Sequence, residues 1–129
     1  MTPFGRRVRE LRAAKRVTQK QMASEIGVSP AWLSALEKGH RGRPNWAFLQ
    51  RIIAYFNIIW DEADELVELA RLSHPKITVD TSGLSPEATE TANLLAELIA
   101  ELDGQELESL LVELRQMREK RTAPQPEKR

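Results

Sequence analysis

The sequence contains no cysteine, which excludes a disulfide scaffold and any thiolate metal site. It has two histidines, His40 and His74, and no glycine-rich loop of the kind that follows a strand and cradles phosphates. Carboxylates are plentiful from Asp61 to Glu68, but helical spacing places them on an outer face with no apolar pocket to raise a pKa. They read as a solvated face, so no catalytic residue, no metal and no cofactor is expected. Long apolar runs are missing as well. The first residues, Met-Thr-Pro-Phe-Gly-Arg-Arg, lack the apolar stretch of a secretory signal. The longest apolar region, Ile52 to Trp60, is interrupted by Asn57 and falls short of the ~18 residues of a membrane span. The expectation is a soluble cytoplasmic protein, with no membrane contact and no evident small-molecule effector.

Net charge is absent overall, yet its distribution is far from even. Residues 1–57 carry eleven Lys/Arg against three Asp/Glu, and residues 58–129 carry eight against sixteen. A +8 half is thus joined to a −8 half, which points to nucleic-acid contact by the first and a separate role for the second. A length of 129 residues suits one small domain plus an appended helical element.

Residues 18–39 carry start, stop, restart and stop signals for two short helices. Thr18 with Gln21 forms a capping-box pattern ahead of Met22, Ala23 and Ile26. Gly27 stands where a left-handed residue ends a helix, and Val28 behind it can close an apolar contact onto Ala23. Ser29 is a good N-cap and Pro30 suits the first helical position. So short a turn crosses the two helices steeply, and the second can then lie in a DNA major groove. An opening helix with Phe4, Val8 and Leu11 at helical spacing precedes them, capped by Thr2 and Pro3. Its outer face carries Arg6, Arg7, Arg9, Lys15 and Arg16, which the motif beside them marks for phosphate contact. Asn45 caps a fourth helix with Trp46, Leu49, Ile52, Ile53 and Phe56, Trp46 being read as core. A fifth begins at Asp61 with Leu66, Leu69 and Ala70 inward.

Thr18-Gln19, Ala23, Gly27, Leu33-Ser34, Glu37, Gly39, the pair Arg43-Pro44 and the following Leu49, Ile52 and Phe56 resemble the Xre group, the lambda-repressor-like helix-turn-helix regulators. The resemblance covers roughly Phe4 to Ile58. It implies an all-α helix-turn-helix domain that binds double-stranded DNA. It implies phosphate contact by Gln19 and base contact from the start and middle of the second motif helix, here Pro30, Ala31, Ser34 and Ala35, with the capping Ser29 also at the DNA-binding face. Trp32 flanks these, either lying half-buried over the following loop or touching the groove wall. The loop after the helix rests on phosphates in the resembling proteins, which makes Lys38, Arg41 and Arg43 candidates here, with Gly39 and Gly42 allowing close backbone approach. Arg12 and Glu37 match a structural ion pair. Two departures stand out. Arg16 occupies a position that is usually Gly or Asn, where a left-handed backbone costs roughly 1–2 kcal/mol. The reading face also lacks the Arg, Asn and Gln side chains that make bidentate base contacts, so direct readout is modest and the remaining specificity comes from DNA shape or from the basic loop.

Residues 73–84 break helical periodicity and form the expected linker between a domain at 1–72 and a C-terminal region at 85–121. Ile77-Thr-Val79 suits either a short strand or bare linker. Ser85-Pro86 restarts a helix with Ala88, Ala92, Leu95, Ile99 and Leu102 on one stripe. Asp103 with Glu106 caps another helix with Leu107, Leu110, Leu111, Leu114 and Met117, and residues 122–129 read as a flexible tail. The two helices suggest a hairpin whose seam of Leu95, Ile99, Leu102, Leu107, Leu110 and Leu114 needs a partner. A second copy is expected, because a homodimer sets two recognition helices about 34 Å apart on a palindromic operator. Docking of the hairpin within its own chain is the alternative for the seam. For the whole chain, the reading is a transcription regulator, a repressor occupying its operator. The alternative is a protein-interaction module, antitoxin-like or polymerase-recruiting, whose acidic half binds another protein.

Overall fold

The computed structural model describes residues 1–40 and 44–122. Within them the chain forms seven α-helices and no strand: α1 (Pro3–Lys15), α2 (Gln19–Ile26), α3 (Pro30–Lys38), α4 (Trp46–Phe56), α5 (Asp61–Arg71), α6 (Pro86–Leu98) and α7 (Gly104–Thr122). They divide into two compact units, Met1–Thr78 and Val79–Arg129.

Local capping chemistry sets the starts of the first four helices. The Gly5 N–H donates to Thr2 Oγ1 at 3.0 Å, Trp32 N–H to Ser29 Oγ at 3.0 Å and Phe48 N–H to Asn45 Oδ1 at 2.8 Å. At α2 the exchange is reciprocal: Gln21 N–H donates to Thr18 Oγ1 at 3.0 Å, and Thr18 N–H to Gln21 Oε1 at 2.7 Å. Each such cap contributes about 1 kcal/mol. Gly27 at φ 84° ends α2, and both its N–H and that of Val28 reach Ala23 O at 2.9 Å.

The first unit closes around Phe4, Val8, Met22, Ala23, Ile26, Leu33, Leu36, Phe48, Leu49, Ile52, Leu66 and Ala70, all buried. Trp46 is not among them. It is 65% exposed, against the expectation of a core residue. The buried stripe of α4 is set by Phe48, Leu49 and Ile52, and at 3.6 residues per turn Trp46 falls roughly a third of a turn away from it. Ser73 corrects the linker boundary in the other direction. Its hydroxyl, 1% exposed, accepts the Phe4 N–H at 3.0 Å and donates to Leu69 O at 2.5 Å, so it belongs to the first unit. Residues 77–79 form no strand.

Two backbone positions are strained. Arg16 ends α1 in the left-handed region, φ 61°, ψ 42°, the conformation its place in the motif demands. Arg16→Gly is therefore expected to stabilise the first unit by about 1 kcal/mol, read in thermal denaturation as a rise of roughly 4–8 °C. Trp60, 80% exposed, precedes α5 at φ 56°, ψ −125° with no side-chain cap, in a region of backbone space that is close to glycine-only. Asp61, Glu62 and Asp64 in the next turn offset part of that cost by facing the positive end of the helix dipole.

In the second unit Ser85 Oγ accepts the Ala88 N–H at 3.2 Å and starts α6. Asp103 and Glu106 cap α7 reciprocally, at 3.0 and 2.8 Å. The stripe drawn through Ile99 and Leu102 is not one helical face, because α6 ends at Leu98. The chain then turns through bonds from Glu101 and Leu102 N–H to Leu98 O, since the α7 cap requires a non-helical residue before it. No residue of α6 or α7 is buried. Leu95, Leu102, Leu107 and Leu110 are half-buried, whereas Ile99 and Leu114 are 51% and 49% exposed. A groove of about 730 Å³ opens between the helices, lined by Leu94, Leu95, Leu98, Leu102, Leu110 and Leu114 among others.

Candidate nucleic-acid interface

The tight turn at Gly27 delivers α3 as a short outer helix whose inward residues are Leu33, Leu36 and Glu37. Its other face begins with Ser29, Pro30 and Ala31, continues through the partly exposed Ser34 and Ala35, and ends at the exposed Lys38. Ser29 spends its hydroxyl oxygen on the cap. Trp32 lies half-buried with its ring 4.5 Å from that of Phe48, so packing occupies at least one side of the indole.

Glu37 organises this face from behind. Its carboxylate is fully buried, and an unpaired charge there costs several kcal/mol. Arg12 meets it with two bonds, Nε to Oε2 at 3.1 Å and Nη2 to Oε1 at 3.0 Å. Gln19 Nε2 donates to Oε1 at 3.0 Å, and Arg9 Nε lies 3.7 Å from the same oxygen. One carboxylate therefore ties α1, α2 and α3 together and fixes the tilt of α3. Gln19 gives one amide hydrogen to this arrangement and keeps a second, the one available to a phosphate. Arg9 and Gln19 were not legible as partners of Glu37: the resemblance paired it with Arg12 alone, and residue spacing carries no signal for contacts between helices.

The same packing depends on Gly5, which the sequence did not mark. A Cβ there would sit 2.1 Å from the Glu37 carbonyl oxygen. The first turn of α1 thus runs directly against the backbone at the end of α3.

The basic surface is smaller than the residue count suggests. Arg7 is drawn to Glu10, Glu62 and Glu65 at 3.6–3.9 Å, once α5 packs beside α1. Lys15 donates to Tyr55 O at 3.2 Å and lies 4.7 Å from the centre of the Tyr55 ring. Burial pushes the Tyr55 phenol above its ordinary pKa, with the nearby Glu25 carboxylate adding to the effect, although no group satisfies its hydroxyl at hydrogen-bond geometry among the described residues. Arg51 caps the end of α2 through Ile26 O and stacks over Phe48. Arg6, Arg16, Lys20 and Lys38 are exposed and make no ion pair among the described residues. Arg41 and Arg43 lie outside the described residues. Among the described residues no group of His, Asp and Glu is placed to hold a metal, and no helix is long and apolar enough to cross a membrane.

Two capped helices joined at a left-handed glycine, the second presenting a shallow face of small residues beside exposed cations, define a helix-turn-helix protein. Residues 3–66 match the family described as helix-turn-helix domain. Residues 3–66, just under half of the chain, thus carry a helix-turn-helix domain of Xre-like type. Among curated proteins it is similar to the uncharacterized HTH-type transcriptional regulator RghRB of Bacillus subtilis, 38% identical over 61 residues, covering 47% of this chain and 44% of the relative. It is 36% identical over 70 residues to the HTH-type transcriptional activator BcrR of Enterococcus faecalis, covering 52% and 34%. It is 34% identical over 61 residues to the HTH-type transcriptional repressor RghR of Bacillus subtilis, covering 47% and 45%. The matched segments span less than half the length of each of these relatives. No solved structure gives a significant match.

Proposed function

We propose that the chain is a sequence-specific double-stranded DNA-binding transcription regulator, a repressor that acts as a homodimer on a palindromic operator. The observation that carries this reading is the exposed face of α3, held by the Glu37 arrangement and flanked by cations that make no ion pair among the described residues. Ala31 and Ala35 suit thymine methyls, and Ser34 bonds to several bases. Gln19, Arg6, Arg16, Lys20 and Lys38, with Arg41 and Arg43 of the following loop, contact phosphates. RghR, one of the similar proteins, is named as a repressor and BcrR as an activator; repression is favoured because occupancy of the operator is enough to produce it.

With most α1 cations engaged inside the protein, affinity falls with salt at a log–log slope of about −5 per subunit or shallower. Arg41→Ala combined with Arg43→Ala flattens that slope by about 0.9 per lost contact. An unchanged slope across a salt series would remove the loop from the interface.

Dimerisation is supported by the absence of any buried residue in α6 and α7, since helices of this length are marginal without tertiary packing. Truncation after Gly83 is expected to leave a folded monomer that binds operator about 100-fold more weakly or worse, because linked half-sites gain affinity through effective concentration. Sedimentation and DNA binding of the full and truncated chains measure both. The alternative, an acidic second half that docks another protein, predicts a monomeric full chain and unchanged DNA affinity on truncation.

A further inference from the structure

The leucines of the second unit do not settle how two hairpins face each other. Its charges do. From Ile77 to Leu114 the sequence has nine Asp/Glu and no Lys or Arg, whereas Arg115, Arg118, Lys120 and Arg121 crowd the last two turns of α7. The end of the hairpin where α6 turns into α7 is therefore acidic, through Glu97, Glu101, Asp103, Glu106 and Glu108. The open end, where α6 starts and α7 stops, sets those four cations against Glu87, Glu90 and Glu119, so it is far less acidic than the turn, and its cations gather at the tip of α7. Glu106, Glu113 and Lys120 recur at seven-residue spacing, so they lie along one face of α7, and Glu106 and Glu113 line the apolar groove. Fourteen residues of helix put about 21 Å between Glu106 and Lys120, well beyond the screening length of ~8 Å at physiological salt. The acidic end thus has no cation of its own α7 within electrostatic reach.

We infer that the groove between α6 and α7 is occupied by α7 of a second copy running antiparallel, so that Lys120 and Arg121 of each copy lie over the acidic turn of the other. This rests on the homodimer proposed above and adds its orientation. A twofold axis across the middle of α7 makes the contact self-complementary: each hairpin fills the other's groove, and the cationic tip of each α7 meets the acidic turn of the other. A parallel pair would set acidic end on acidic end and basic on basic, which costs affinity. The antiparallel pair also places the two Ser85 residues, from which the chain leads back to the helix-turn-helix units, at opposite ends of helices about 20–28 Å long.

The test uses the full-length chain and sedimentation equilibrium at physiological salt. Lys120→Glu combined with Arg121→Glu sets like charges together at both ends of the antiparallel pair, and is expected to weaken dimerisation about 10- to 100-fold. Adding Glu101→Lys and Glu108→Lys to the same chain restores opposite charges and should return the dissociation constant to within a few-fold of the unmodified protein. A charge reversal that leaves dimerisation unchanged overturns the antiparallel arrangement while the homodimer stands. Weakening that the fourfold variant does not repair also overturns it, since local damage then explains the loss. A monomeric unmodified chain removes the homodimer itself and the orientation with it.

Discussion

Gly5→Ala is expected to destabilise the first unit by about 3 kcal/mol or more, one of the largest effects of a single methyl group anywhere in the chain. Elsewhere in a helix the same exchange is favourable by up to ~1 kcal/mol, because alanine loses less backbone entropy on folding. Here the new Cβ would stand 2.1 Å from the Glu37 carbonyl oxygen and 2.7 and 2.8 Å from its carbonyl carbon and Cα. These are backbone atoms at the end of a helix, and a rotamer change cannot move them. Relief requires α1 to shift off α3, which opens the Phe4 and Val8 side of the core and stretches the bonds from Arg12 to Glu37. The strain therefore exceeds the usual 1–3 kcal/mol of overpacking in a deformable core. Urea denaturation of the unmodified and variant chains measures the difference. A stability equal to or above that of the unmodified protein would mean the α1–α3 approach is looser than described.

The second large effect belongs to Arg12 and Glu37. Arg12→Met leaves a fully buried carboxylate with Gln19 and the more distant Arg9 as its remaining partners, and Glu37→Leu leaves Arg12, 16% exposed, without its acceptor. Breaking one side of a buried pair costs on the order of 3–5 kcal/mol, most of it the stranded charge. The double variant replaces both charges by apolar groups of similar size, so it should be more stable than at least one of the single variants. A double-mutant cycle in denaturant gives the coupling directly. Small, additive losses from the two substitutions would reduce the pair to a surface contact.

Features that depend on residues three or four apart were legible in the sequence. The caps at Thr2, Thr18, Ser29, Asn45, Ser85 and Asp103 each reduce to a side chain meeting a nearby N–H, and the Gly27 stop to one left-handed residue. What stayed hidden depends on how distant helices meet. Gly5 looks like any glycine until α1 lies on α3. Arg7 looks like a phosphate ligand until α5 brings Glu62 and Glu65 to it. Trp46 satisfies the apolar pattern of α4, yet its angle around the helix leaves it outside. In the second unit a four-three spacing selected Leu95 and passed over Leu94 and Leu98, because that spacing assumes one continuous helix where the chain turns. On the candidate interface, the resemblance marked which α3 residues face outward, and Pro30, Ala31 and Lys38 are exposed. The engagement of Gln19 and Arg9 with Glu37 was not legible.

The bond from Phe4 N–H to Ser73 Oγ joins residues 69 positions apart, and it sets an order of events during synthesis. A chain made from its N-terminus cannot cover Phe4 and Val8 until Leu66, Ala70 and Ser73 have been added, so α1 to α4 wait, incomplete, for α5. Once Ser73 is free of the ribosome, helical elements with mostly short-range contacts assemble in well under a second. Synthesis adds only about 5–20 residues per second, slower than that assembly. The first unit is therefore finished while the hairpin is still emerging. Each new chain thus carries a complete helix-turn-helix head before its second unit has formed.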